Sequence, residues 1–211
     1  MKVHRVGLVA AMSVVLLQAC GGPADALSEE GGTESERVQL GEAHSELSVS
    51  GYTVSLNIHG GTGGGAGSLA CASGYVVVGF YGRAWDYVER FGLICAFLNA
   101  DGTLGSQYST GYVGGTGGSD FGSIKCPTNM AAVGVRGRAT TFVDRFGLYC
   151  SGISNWRTYG TVQAVTGTAG GSGGIAFEND MAPVGYVLTS FNTWAVAYVD
   201  RLQGVASFIS P

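Results

Sequence analysis

Charge is scarce, histidine is rare and no long hydrophobic run is present, and each shortage removes a class of function. Charged residues are 12% of the 211-residue chain. From residue 47 onward eight acids face eight bases with no basic stripe among them, which argues against nucleic acid as a partner. Beyond the first few residues the only histidines are His44 and His59. No Ser-His-acid set can be built on either, and His59 reads as a loop residue with no chemical task. No two cysteines stand at metal-ligand-pair spacing, so zinc is not expected. The apolar run from Val6 to Leu17 is too short to span a bilayer, and no stretch beyond residue 46 carries a convincing 3.6-residue period. Glycine is plentiful, at 37 residues, but it is set in defined loops beside aromatics, which excludes a collagen-like or disordered chain.

What is present is one stretch used three times. It reads Gly114-Gly115-Thr116-Gly117-Gly118, Cys126, Met130 to Val135, then Thr141-Phe142-Val143-Asp144-Arg145-Phe146-Gly147-Leu148-Tyr149-Cys150. The upstream copy is Gly60-Gly61-Thr62-Gly63-Gly64, Cys71, Tyr75 to Phe80 and Tyr87-Val88-Glu89-Arg90-Phe91 to Cys95. The downstream copy is Gly170-Gly171-Ser172-Gly173-Gly174, Met181 to Tyr186 and Tyr198-Val199-Asp200-Arg201-Leu202. Offsets are 54 then 56 residues for the glycine loop, 55 then 51 for a mid-repeat glycine (Gly79, Gly134, Gly185), and 55 then 56 for the arginine. A fixed period of this length means one supersecondary unit repeated, with boundaries near 47–100, 101–153 and 154–211.

The apolar segments inside the repeats have strand length and strand composition. They run over Tyr52 to Ile58, Tyr75 to Phe80, Tyr87 to Phe97, Met130 to Val135, Phe142 to Tyr149, Thr161 to Val165, Pro183 to Leu188 and Trp194 to Val199. About four strands per repeat predict an all-β domain over 47–211, with three sheets covering one another's apolar faces around an axis. Cys71 to Cys95 and Cys126 to Cys150 are each 24 residues apart, and the third repeat lacks cysteine. Equal spacing at equivalent positions favours those two bridges among the three pairings four cysteines allow, and an exported chain makes them reasonable.

The N-terminus reads as an export signal. Lys2, His4 and Arg5 precede the apolar run, which ends in Leu17-Gln18-Ala19-Cys20. That end resembles a bacterial lipobox, which implies a signal peptide over 1–19, acylation of Cys20 and a membrane partner through the N-terminal lipid. Gly21 after the cysteine resembles signals that send a lipoprotein to the outer membrane, so the expected location is the cell envelope, periplasmic or surface-exposed. Residues 20–46 are rich in Gly, Ser, Ala and Glu and carry seven acids against Arg37. They read as a flexible tether, some 25 to 30 Å long on average.

The segments Tyr75-Val76-Val77-Val78-Gly79-Phe80-Tyr81-Gly82 and Tyr87-Val88-Glu89-Arg90-Phe91, with the three glycine loops, resemble the jacalin-related lectins. Griffithsin-type members of that family have a mannose site in every repeat, and the paired cysteines are similar to those of the vitelline membrane outer layer proteins. The resemblance implies a β-prism of three four-stranded Greek-key sheets over residues 47–211. It also implies a sugar site in which a carboxylate, the N–H groups of the turn before it and a close glycine loop hold one saccharide. The carboxylates map onto Glu89, Asp144 and Asp200. The turn N–H groups map onto Asp86 and Tyr87, Thr141 and Phe142, and Ala197 and Tyr198. The loops contribute Gly63 and Gly64, Gly117 and Gly118, and Gly173 and Gly174. Where the family has glycine four residues before the acid, this chain has Trp85, Thr140 and Val196, which would be strained if that turn required φ > 0. Trp85, Tyr87, Phe142, Trp194 and Tyr198 offer flat faces for stacking on a sugar ring. An enzyme is not expected, because a glycosidase needs two carboxylates across one cleft and these acids are symmetry-related and apart. The expected function is therefore non-catalytic binding of mannose-type or galactose-type glycans without a cofactor. A structural or adhesion protein of the envelope that binds no sugar is the alternative.

Overall fold

Thirteen strands and one short helix make up residues 46–211, the part of the chain that the computed structural model describes. The expected signal peptide, Cys20 and all but the last residue of the tether lie outside these residues. The chain forms β1 (Ser48–Gly60), β2 (Gly65–Ala70), β3 (Tyr75–Ala84), β4 (Val88–Leu98), β5 (Leu104–Gly114) and β6 (Ser119–Lys125). Then follow β7 (Ala131–Ala139), β8 (Val143–Ser151), α1 (Ile153–Tyr159), β9 (Ala164–Val165), β10 (Ala169–Gly170), β11 (Ile175–Met181), β12 (Tyr186–Ala195) and β13 (Val199–Ser210).

These strands build three antiparallel sheets. Sheet I has the order β5-β4-β3-β6, sheet II β10-β8-β7-β11 with β9 also on β8, and sheet III β1-β13-β12-β2. In each, the fourth strand returns beside the first, which is the Greek-key arrangement of the expected all-β prism. In sheet II the outer strand is broken into β9 and β10, and the Thr166 hydroxyl between them accepts the Leu148 N–H at 2.9 Å.

The sheets do not follow the repeat boundaries near 47–100, 101–153 and 154–211. Sheet I spans residues 75–125 and sheet II residues 131–181, while sheet III joins 186–210 to 48–70, so the two ends of the domain complete one sheet. A period defines spacing and leaves phase open, and the ladder between β1 and β13 settles the phase. The mid-repeat glycine alignment also changes. Gly185 (φ +88) matches Gly74 (φ +77) and Asn129 (φ +59), in the turn that precedes the first strand of each sheet. Ser190 holds the place of Gly79 and Gly134 in the strand pairing.

Several other expectations shift for physical reasons. The segment Trp194 to Val199 is not one strand, because 196–198 turn the chain between β12 and β13 as 85–87 and 140–142 do in the other sheets. Thr161 to Val165 contracts to β9, and Pro183 lies in the turn before β12, its carbonyl accepting the Tyr186 N–H. The unexpected helix α1 buries Ile153 and Trp156, a single i, i+3 pair too short to register as a period, and ends at Gly160 in the left-handed region. The strands β2, β5, β6 and β11 lie at sheet edges with mostly exposed or half-buried residues, so no alternation of buried and exposed positions marks them in the sequence. His59 is a strand residue: its Nε2 lies 2.7 Å from Asp180 Oδ2 and its ring stacks on Phe177 at 3.7 Å, tying β1 to β11. Asp180 also accepts the Asn57 side-chain amide at 2.9 Å.

The core lies on the prism axis. Phe80, Phe91, Phe146 and Phe191 are at most 1% exposed, and their rings meet edge-on or tilted at 5.0 to 6.1 Å across the three sheets. Each such side chain contributes about 1.5–3 kcal/mol by burial. Both expected disulfides form, each with a Cα–Cα distance of 5.7 Å. Cys71 follows β2 and Cys95 lies in β4, while Cys126 follows β6 and Cys150 lies in β8, so the bridges staple sheet III to sheet I and sheet I to sheet II. At the third junction the equivalent positions hold Ala182 and Ala206, both buried.

Candidate functional site

Each sheet ends in the same three-residue hairpin turn, between its first two strands. The turns are 85–87, 140–142 and 196–198, closed by the pairs Ala84 with Val88, Ala139 with Val143 and Ala195 with Val199. In each, the first N–H donates to the carbonyl two residues on: Trp85 to Tyr87 (3.0 Å), Thr140 to Phe142 (3.0 Å) and Val196 to Tyr198 (3.1 Å). The only non-glycine residues with positive φ among those described are Asn129 and Asn179, so Trp85, Thr140 and Val196 occupy the turn without backbone strain. The N–H groups of Asp86, Tyr87, Thr141, Phe142, Ala197 and Tyr198 form no hydrogen bond among the described residues and stay free to donate.

Strand pairing brings a glycine loop against each acid, in a different combination from chain order. Loop 114–118 cradles Glu89, loop 170–174 cradles Asp144, and loop 60–64 cradles Asp200 from the far end of the sequence. A Cβ on Gly64 would sit 2.7 Å from Asp200 Oδ2, and one on Gly173 would sit 2.7 Å from Asp144 Oδ1. A Cβ on Gly63, Gly118 or Gly174 would likewise collide with the acid beneath it, whereas one on Gly117 would touch the Glu89 chain at ordinary contact distance. Gly64, Gly118 and Gly174 also have φ of +81, +66 and +69, which a side chain would strain. Glycine is needed here so that backbone can lie on the carboxylate.

The acids are deep. Glu89, Asp144 and Asp200 are 6%, 3% and 8% exposed, and Glu89 Oε2 and Asp144 Oδ2 are buried without a hydrogen-bond partner. Burial pushes the Glu89 carboxyl above the ordinary carboxylate range, against the opposing pull of the Trp85 and Glu89 N–H groups and the Arg83 guanidinium. Each arginine after an acid points to the other face of its strand, as alternation requires. Arg90 donates to the Gly115 carbonyl at 3.0 Å and Arg201 to that of Gly61.

Sequence reasoning passed over a second pair of arginines. Arg83 Nε donates to the Gly117 carbonyl at 2.8 Å and Arg138 Nε to that of Gly173 at 2.6 Å, clamping two loops from outside. The signal was available, since both stand at the 55-residue period. In sheet III Trp194 takes this position, beneath the Arg201 guanidinium at 4.8 Å.

The three turns converge at one end of the prism. Tyr87, Phe142 and Tyr198 meet ring to ring, at 5.0 Å, 5.6 Å and 4.9 Å. Each loop also abuts the turn of another sheet: a Cβ on Gly115 would meet the Ala197 carbonyl at 2.5 Å, one on Gly171 that of Asp86 at 2.6 Å, and Gly61 lies against Thr141. Trp85 and Val196 remain 75% and 71% exposed at the rim of this surface. Three equivalent carboxylate cradles thus share one face.

This architecture is that of the jacalin-related lectins. A mannose-specific jacalin-related lectin from Morus nigra, solved with mannose, superposes with a TM-score of 0.56 at 15% identity, covering 75% of this chain and 97% of its own. A mannose-binding jacalin-related lectin from Ananas comosus gives 0.54 at 15% identity, with 74% and 98% covered. Malaysian banana lectin gives 0.53 at 16%, with 74% and 98% covered. No family model matches the chain, and no curated protein matches it in sequence.

Proposed function

We propose that this protein binds carbohydrate without catalysis, through up to three sites on one end of the prism. The observation that carries the reading is the threefold assembly, on one end of the prism, of an acid, a turn with two free N–H groups and a glycine loop that brings backbone against the acid. The turn N–H groups can donate to sugar hydroxyls, the carboxylate edge can accept from them, and the small loop keeps side chains out of the way. Mannose-type and galactose-type glycans are the ligands to test first.

A single site offers only a few hydrogen bonds, each worth about 0.5–1.5 kcal/mol net, or up to about 3 when charged. One site therefore gives a Kd of about 1 mM. The shared face favours branched or dense glycans that engage several sites at once. Attachment to the cell envelope through an acylated Cys20, with the residues to 46 as tether, would present this face to such surfaces.

The test is retention on mannose-rich and galactose-rich columns, with Asp144→Asn and Asp200→Asn combined. The double variant should lose retention while its melting temperature stays nearly unchanged. Loss of the fold in the double variant, or no retention of the unaltered protein, would make the acids structural and return the protein to the alternative of an envelope scaffold.

A further inference from the structure

The outer face of sheet II carries a concavity that the sugar reading does not use. Its volume is about 110 Å³, and Arg136, Arg138, Arg145, Thr168 and Glu178 line it. Three of the eight basic residues beyond residue 46 gather here, opposed by one carboxylate. Arg138 and Arg145 are directly paired across β7 and β8, which puts their Cβ atoms about 5 Å apart and their like charges in repulsion. Glu178 covers only part of the charge. It is 3.4 Å from Arg136 Nε, and it also accepts the Tyr149 hydroxyl at 2.6 Å.

The other two sheets show what a satisfied version looks like. In sheet I the matching pair is Arg83 and Arg90; Arg90 bonds the Gly115 carbonyl and lies over the Tyr112 ring at 4.1 Å, and Tyr81 stands where sheet II has Arg136. In sheet III the pair is Trp194 and Arg201, with Arg201 bonded to Gly61 and resting on the indole. In sheet II Thr168 replaces the tyrosine, and Arg145 Nε is buried with no hydrogen-bond partner among the described residues. Neither a carbonyl nor a ring takes up its charge.

We propose that this concavity is an oxyanion site, in which Arg145, Arg138 and Arg136 hold a sulfate or phosphate group borne on a saccharide. Guanidinium groups donate paired N–H bonds to tetrahedral oxyanions, and a bound anion relieves the opposed charges of Arg138 and Arg145. The saccharide part rests on the carbohydrate-binding reading, because Arg138 also holds the Gly173 and Gly174 carbonyls over Asp144, so the two sites adjoin. Glu178, 46% exposed at the edge, competes with the anion and tunes its affinity.

The test follows the arginine Nε–H resonances of the purified protein at low ionic strength, during titration with inorganic sulfate, inorganic phosphate, galactose 6-sulfate, mannose 6-phosphate and the two neutral sugars. The free anions should shift the Arg145 signal saturably while those of Arg90 and Arg201 hold still, and the charged sugars should bind more tightly than the free anions. Arg145→Gln and Arg136→Gln should each weaken sulfate binding about tenfold or more, and Glu178→Gln should strengthen it. The Asp144→Asn, Asp200→Asn variant should keep sulfate binding, which separates failure of the sugar reading from failure of this one. An Arg145 signal that no anion moves, or arginine variants that bind sulfate as the unaltered protein does, would overturn the site. Charged sugars no tighter than the free anions would overturn its assignment to saccharides.

Discussion

The gap in the disulfide pattern can be filled, because threefold equivalence predicts where a third bridge belongs. Cys71, Cys126 and Ala182 each follow the last strand of a sheet, and each donates its N–H to the first strand, at Thr189, Val78 and Val133. Cys95, Cys150 and Ala206 pair with Val77, Ala132 and Leu188 at the same ladder position. The native bridges each span 24 residues, and positions 182 and 206 are also 24 apart (206 − 182). The new loop overlaps neither existing loop, so its constraint on the unfolded chain adds to theirs. The chain-entropy relation for a closed loop of this length gives about 3.5 kcal/mol. For a domain of this size that is a rise in Tm of roughly 7–14 °C. The assay is thermal unfolding of Ala182→Cys/Ala206→Cys with and without reductant, beside the two single variants and a thiol titration. Free thiols in the oxidised double variant would refute the equivalence of the third junction. A formed bridge with no gain in Tm would refute the entropic reasoning.

Two other outcomes are expected. Because burial raises the Glu89 carboxyl, the folded chain holds that proton more tightly than the unfolded chain, so stability falls as pH rises from the ordinary carboxylate range through the raised value; Glu89→Gln should flatten that slope in denaturant titrations across pH, and an unchanged slope would contradict the assignment. Labelled palmitate should enter the unaltered chain in bacteria and not Cys20→Ala, and equal labelling of both would remove the envelope anchor from the reading.

The threefold repeat, the strand-rich class and both disulfides were legible in the sequence, because they rest on spacing and residue type, whereas the acids Glu89, Asp144 and Asp200 were singled out through the family resemblance. Outer strands such as β2 and β6 carry no period-2 signal, because neither face is consistently buried. Helix α1 is equally silent, because one buried pair, Ile153 and Trp156, is too little for a period. The anomalous 51-residue offset at Gly185 was itself a sign of misalignment, resolved by its positive φ, which matches Gly74 and Asn129. Which loop serves which acid follows from the strand pairing and is not written in the order of the chain. The partner of Asp200 is the loop at Gly60 to Gly64, because β1 joins β13 and closes the prism with the two ends of the domain. The meeting of Tyr87, Phe142 and Tyr198, and the charge left uncovered at Arg145, likewise come from packing around an axis. One-dimensional spacing specifies what repeats; hydrogen bonds between distant strands specify what meets.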